Sequence, residues 1–154
     1  MSTPRIFIDG HAGTTGLRIR EWLAGRDDLE IWTLDEAERK SEPARRKAIA
    51  EADLTVLCLP DEAAVEAAGW ALETGARMID ASSAHRVSEG WVYGLPELSP
   101  GHRDVIANAQ LVSNPGCYPS IFVPLIRPLI DAGILASNAP LAIHGLSGYS
   151  GGGK

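Results

Sequence analysis

The stretch best equipped for covalent chemistry is Asn114-Pro115-Gly116-Cys117-Tyr118-Pro119-Ser120. It places a cysteine after a strand-like segment, in a turn stiffened by two prolines, at the start of a helical segment. The dipole at a helix N-terminus favours the thiolate, the nucleophilic form of the group. Cys117 therefore reads as a nucleophile, and Asn114 as an amide donor for the oxyanion that forms on attack at a carbonyl. Cys58 is the internal contrast: in the middle of the apolar run Leu54-Thr55-Val56-Leu57-Cys58-Leu59 it reads as a buried, inert core residue. Four histidines are available for acid–base work. His11 sits in a glycine turn and lines a ligand site, His85 follows a strand end, His102 falls in an exposed polar turn, and His144 precedes a glycine-rich end. None of them is placed by the sequence as the partner of Cys117.

A second chemical element is Gly10-His11-Ala12-Gly13-Thr14-Thr15-Gly16, with GxxGxxG spacing between an apolar strand and an amphipathic helix. Glycines at these positions let backbone N–H groups approach a pyrophosphate at a helix N-terminus, and the hydroxyls of Thr14 and Thr15 add donors. The choice between NAD and NADP stays open at this level. Asp35 or Glu36, after the second strand, suits the ribose of NAD, whereas Arg39-Lys40 or Arg45-Arg46 suits a 2′-phosphate. These basic pairs also fit a solvated helix face. Arg86 reads either as an anion-binding group or as one half of a structural ion pair.

The elements that must carry these groups alternate strand and helix, the pattern of βαβ units around a parallel sheet. Ile6-Phe7-Ile8 is the first strand. Residues 17–24 form a helix with Ile19, Trp22 and Leu23 on one face. Leu29–Thr33 is the second strand, followed by a charged surface helix within 35–52 with Pro43 in its first turn. Leu54–Leu59 is the central strand. Asp61 caps the next helix, whose small face is Ala64, Ala67, Ala68, Ala71 and Leu72, and Gly75 ends it. Arg77–Asp80 is a fourth strand, with shorter ones at Trp91–Tyr93 and Gln110–Ser113. Tyr118–Ile130 has helical periodicity, but Pro124 and Pro128 predict a kink or a break. Leu141-Ala142-Ile143 reads as one more strand, exposed and prone to association if left without neighbours.

Composition bounds the function classes. With 154 residues, 45% hydrophobic and 22% charged, the chain suits one globular domain. A formal charge of −6 argues against nucleic acid or an anionic membrane as the main partner. No apolar run approaches a membrane span, and the N-terminus lacks a signal-peptide core. Two cysteines in no CxxC pattern point to a reduced, cytoplasmic protein without a metal site.

Taken together, the motifs resemble those of the short-form N-acetyl-γ-glutamyl-phosphate reductases. The stretches that carry the resemblance are Ile6–Leu17, Cys58–Asp61, Ile79–Val87, Gly90–Leu98, Ser113–Pro119 and Ser147–Lys154. The resemblance implies an α/β chain with a Rossmann-like parallel sheet and helices on both faces, followed by the first strand of an incomplete α+β catalytic domain. Residues 1–117 would be the NADP-binding domain, and 118–154 a linking helical segment with the start of the second domain. It also implies an NADPH-dependent reductase of arginine biosynthesis, in which Cys117 attacks an acyl phosphate, phosphate leaves, and the thioester is reduced to a semialdehyde. On this reading Gly10, Gly13, Thr14, Thr15, Gly16, Arg39, Lys40, Ser147 and Gly148 bind the cofactor, and Ser83, Arg86 and Ser150 bind substrate. Members of the family continue for about as many residues again and are homo-oligomers, so a chain stopping at Lys154 corresponds to the N-terminal half and is expected to be inactive alone. Competing expectations are a non-catalytic NADP-binding or redox-sensing module, and an enzyme like aspartate-semialdehyde dehydrogenase.

Overall fold

The structure is a computed structural model that describes residues 3–146 and 148. The chain forms two compact units, Met1–Pro115 and Gly116–Lys154.

The first unit is built on six strands: β1 (Arg5–Asp9), β2 (Glu30–Trp32), β3 (Leu54–Leu57), β4 (Met78–Asp80), β5 (Val92–Tyr93) and β6 (Leu111–Ser113). They lie in the order β2-β1-β3-β4-β6-β5, and every pair is parallel. Side chains alternate across a parallel sheet, so each face needs its own cover. Phe7, Leu57, Met78 and Leu111 point into one core with Ala48 and Ile49 of α2 (Glu42–Glu51) and the alanines of α3 (Asp61–Thr74). Val56 and Ile79, of opposite parity, line a cleft beside α1 (Thr14–Leu23). This is the doubly wound, Rossmann-like arrangement that the strand–helix alternation predicts.

Local differences from expectation have tertiary causes. Trp22 is 72% exposed, because the face of α1 that carries it borders the open cleft and not the core. Leu72 is 60% exposed, while Trp70 is buried beneath the guanidinium groups of Arg45 (4.7 Å) and Arg46 (5.0 Å). Cation–π contacts from α2 thus settle which edge of α3 turns inward. Pro60, not Asp61, is the N-cap of α3. Strand β3 stops at Leu57, so Cys58 lies just past it and is only partly buried. Gly75 ends α3 with φ 73°, as predicted.

The second unit contains α5 (Cys117–Asp131), one continuous helix with both prolines inside it; α4 (His102–Asn108) belongs to the first unit. The prolines stand one turn apart, so the missing N–H donors fall along a single strip. That strip includes the exposed Ser120, whose carbonyl can be hydrated. No break results. Residues 141–143 are irregular and exposed, so the strand predicted there is absent among the described residues.

One buried ion pair fastens α2 to the end of β1. Arg45 Nε donates to Asp9 Oδ2 at 2.9 Å, with both side chains at least nine-tenths buried. Burial pushes the Asp9 carboxyl up, and Arg45 pulls it partway back. Removing one member of such a pair leaves a lone buried charge, so Arg45→Met is expected to cost about 3–5 kcal/mol in urea unfolding near neutral pH. Because the folded state holds the Asp9 proton more tightly than the unfolded chain does, this group favours folding at low pH and loses that effect as pH rises through its raised value. The Arg45→Met deficit should therefore shrink as pH falls toward about 4. A deficit independent of pH would show that the Asp9 charge is not its source.

Candidate functional site

The sheet order changes direction between β1 and β3, since the chain goes outward to β2 and then returns across β1 to β3. Ligands of open α/β sheets bind at the carboxyl ends of strands flanking such a switch. The glycine turn emerges there, and its three glycines do different work. Gly10 has φ 85°, and a Cβ on it would collide with the Cys58 carbonyl. A Cβ at Gly16 would stand 2.5 Å from the Gly10 carbonyl oxygen, so Gly16 lets α1 close against the turn. Gly13 has ordinary backbone angles and would place a Cβ no closer than 3.5 Å to any protein atom. Its missing side chain leaves space outside the protein's own packing. The N-terminus of α1 has no side-chain cap and no acidic residue in its first turn, which keeps it receptive to an anion.

Two clefts flank this turn. One, of about 350 Å³, is lined by Gly10, His11, Gly13, Arg39, Lys40 and Arg45, together with Leu59 and Pro60. The other, of about 730 Å³, includes Thr14, Thr15, Ala81 and Asn114. Arg39 and Lys40 therefore stand beside the glycines. Arg39 is paired with Glu36 at 2.7 Å, and its Nε is buried without a partner. Arg45 lines the cleft but is clamped on Asp9, whereas Arg46 bonds Glu42 and Glu73 and does not line it. As a pair, Arg45-Arg46 is structural.

Beyond β4 the chain makes a bonded turn. Ser83 donates through its N–H and hydroxyl to Asp61, at 3.0 and 2.7 Å, which holds the Asp61 carboxyl below its usual range. Asp61 thus ties the start of α3 to the loop after β4 and is not a helix cap. His85 is buried, bonded to Asp80 and stacked on Trp91. Arg86 Nε donates to the Asn114 carbonyl at 3.3 Å. The Asn114 amide donates to the Pro115 carbonyl at 3.2 Å, leaving one amide proton for a ligand. His102, expected to be exposed, bonds the Tyr93 carbonyl at 2.7 Å and is partly buried.

In the second unit Cys117 is exposed as the first residue of α5. It lines a cavity of about 380 Å³ with Tyr118, Phe122, Ile143 and His144. His144 thus shares a cavity with the thiol, a placement that its isolated position in the sequence did not signal. Gly148 is exposed; Ser147 and Ser150 lie outside the described residues.

The two thiols are set apart by environment. Burial, followed by the charges of Asp9 and Asp80, pushes Cys58 up to about 11. Against an ordinary thiol at 9.0, that leaves about 100-fold less thiolate near neutral pH. Iodoacetamide at about pH 7.5 should label Cys117 at least tenfold faster than Cys58, as read by peptide mass spectrometry. Equal rates would remove the distinction.

Residues 32–109 match the family described as Semialdehyde dehydrogenase, NAD binding domain. Over all 154 residues the chain is 53% identical to N-acetyl-gamma-glutamyl-phosphate reductase of Trichormus variabilis and 54% identical to that of Burkholderia lata. These alignments cover 48% and 49% of the relatives, so the chain spans about half the length of the curated relatives it matches. Among solved structures, aspartate semialdehyde dehydrogenase II of Vibrio cholerae, complexed with ASA, superposes with a TM-score of 0.67 at 18% identity, over 86% of this chain and 44% of that one. Aspartate semialdehyde dehydrogenase with NADP from Candida albicans gives 0.64 at 17%, over 83% and 47%. At such identity the superpositions speak for the fold. The chain belongs to the semialdehyde dehydrogenase NAD-binding domain family.

Proposed function

We propose that this chain is the cofactor-binding part of a cytoplasmic N-acetyl-γ-glutamyl-phosphate reductase. The whole protein would use NADPH to convert N-acetyl-L-glutamyl 5-phosphate into N-acetyl-L-glutamate 5-semialdehyde, a step of arginine biosynthesis, and act as a homo-oligomer. The observation that carries this reading is identity of 53% sustained across the full 154 residues to a relative of that name. The glycine turn supports it: the space beside Gly13 and the uncapped start of α1 suit a pyrophosphate.

Residues 1–117 form the NADP-binding domain on this reading, and 118–154 lead into the catalytic one. Gly10 and Gly16 shape the turn, Gly13 admits the phosphates, and Thr14 and Thr15 donate hydrogen bonds to them. Arg39 and Lys40, which line the same cleft as Gly10 and Gly13, meet the 2′-phosphate. When bound, NADPH supplies the hydride. The Cys117 thiolate attacks the acyl carbon, so a C–S bond forms while the C–O bond to phosphate breaks, and phosphate departs with the electron pair. Asn114 donates to the oxyanion, Arg86 and Ser83 hold the substrate, and Ser147, Gly148 and Ser150 complete the cofactor and substrate contacts.

Gly13→Ala is expected to weaken NADPH binding at least about tenfold in fluorescence titration while thermal stability is kept, because the added Cβ would make only ordinary contact, 3.5 Å from the Gly10 carbonyl oxygen. Unchanged affinity would move the cofactor elsewhere. Cys117→Ser should abolish phosphate-dependent reduction of NADP⁺ by N-acetylglutamate semialdehyde, assayed in this chain and in the full coding sequence, with NADPH affinity intact. Turnover retained by the serine variant would remove Cys117 from the mechanism. Turnover in neither wild-type protein would overturn the reductase reading.

A further inference from the structure

The segment leaving β4 is fastened unusually well, and what it delivers is a cation. Asp80 ends the strand fully buried, with no arginine or lysine paired to it among the described residues. Its carboxylate is satisfied by donors from its own loop: the Ser82 N–H at 2.9 Å, the Ser82 hydroxyl at 2.5 Å and His85 Nδ1–H at 2.6 Å. The imidazole stacks on Trp91 with ring centres 4.0 Å apart and planes within 10°. The loop then closes on itself. The Ala84 N–H donates to the Ser82 hydroxyl, the Ser88 hydroxyl donates to the Ala84 carbonyl, and the Trp91 N–H donates to the Ser88 carbonyl. Ser83 fixes the outer corner through Asp61.

Arg86 is the next residue along, and its Nε–H reaches the Asn114 carbonyl. The N–H of that same Asn114 donates to the Asp80 carbonyl at 2.7 Å. Asp80, His85, Arg86 and Asn114 thus form a closed circuit of covalent and hydrogen bonds, in which the His85–Asp80 bond is the buried link. Two demands meet at position 85. Stacking on indole takes a flat ring, and Asp80 Oδ2, which also accepts from the Ser82 hydroxyl, takes an N–H from position 85. Phenylalanine meets the first demand and asparagine the second. Imidazole meets both.

We infer that His85 is a positioning residue: by bonding Asp80 and stacking on Trp91 it holds the 82–86 turn in the form that brings Arg86 to the carbonyl of Asn114. This deepens the proposed function, because it rests on Arg86 as the group that meets the substrate phosphate. Arginine has many rotamers, and anchoring Nε leaves the outer guanidinium nitrogens aimed as a fork for an oxyanion.

The test uses nitrogen-labelled chain, with the Arg86 Nε–H signal and the Ser82 amide as reporters in proton–nitrogen correlation spectra. His85→Phe should raise exchange at both reporters at least about tenfold, while the Ile8 and Val56 amides of the central strands keep their protection. His85→Asn, which restores a donor near the Nδ1 position, should recover most of the protection. If His85→Phe does not fold, Trp91→Leu removes the stack while keeping an apolar side chain against the core, and should show a smaller selective loss at the same reporters. Unchanged reporters in the variant that folds, or losses spread equally to Ile8 and Val56, would overturn the proposal, as would Asn behaving no better than Phe. Titration with inorganic phosphate separates the two readings. A shift of Arg86 Nε–H in wild type but not in His85→Phe supports both. No shift in wild type removes Arg86 from substrate binding, and the exchange data still decide the role of His85.

Discussion

The close approach of Gly10 to the carbonyl of Cys58 is the constraint on which the site depends. Strands β1 and β3 are paired right up to the turn, where the Cys58 N–H still donates to the Asp9 carbonyl at 2.8 Å. At that point β1 must leave the sheet without pushing its neighbour aside. A left-handed residue without a β-carbon does so, and Gly16 then lets α1 fold back over the turn. These two contacts aim the N-terminus of α1 past the strand ends. Any side chain at position 10 would be forced against backbone, which cannot rotate away as a flexible side chain can.

A second corner of the same edge is organised differently. Where the β1 turn relies on absent side chains, the turn after β4 relies on side chains that satisfy one another. Ser82 and His85 donate to Asp80, Ser83 donates to Asp61 at the start of α3, and Arg86 Nε donates to the Asn114 carbonyl. One corner leaves space beside Gly13; the other carries Arg86 on a hydrogen-bonded turn.

The sheet and the glycine turn were legible in the sequence because both have local signatures: apolar runs of strand length, and glycines directly between a strand and a helix. What escaped was set by distant partners. Nothing near Arg45 in the sequence marks it as the buried partner of Asp9 or as a lid on Trp70, or sets it apart from the exposed Arg46. The periodicity of residues 17–24 predicts the helix, but it does not say whether Trp22 faces a core or a cleft. Asp61 has the residue type of a cap, and only the return of the chain at Ser83 gives it another partner. The prolines of α5 have a strong local preference against helix, overridden because they are spaced by one turn on an exposed strip. Cys117, Arg86 and Asn114 stand out by residue type, while the hydrogen bonds from Arg86 to Asn114 and from Asn114 to Asp80 join residues far apart in the chain and have no linear pattern.

The Asp9–Arg45 pair carries a consequence for how this sequence can drift. Each partner alone is a liability in the interior, so single-nucleotide steps that replace only one must pass through a poorly folded protein. Lineages that lose the pair must therefore change both codons nearly together, or first acquire spare stability elsewhere. Across homologues the two positions should covary as a unit, with Trp70 and Glu66, which touch the same guanidinium, as the next positions to feel the exchange.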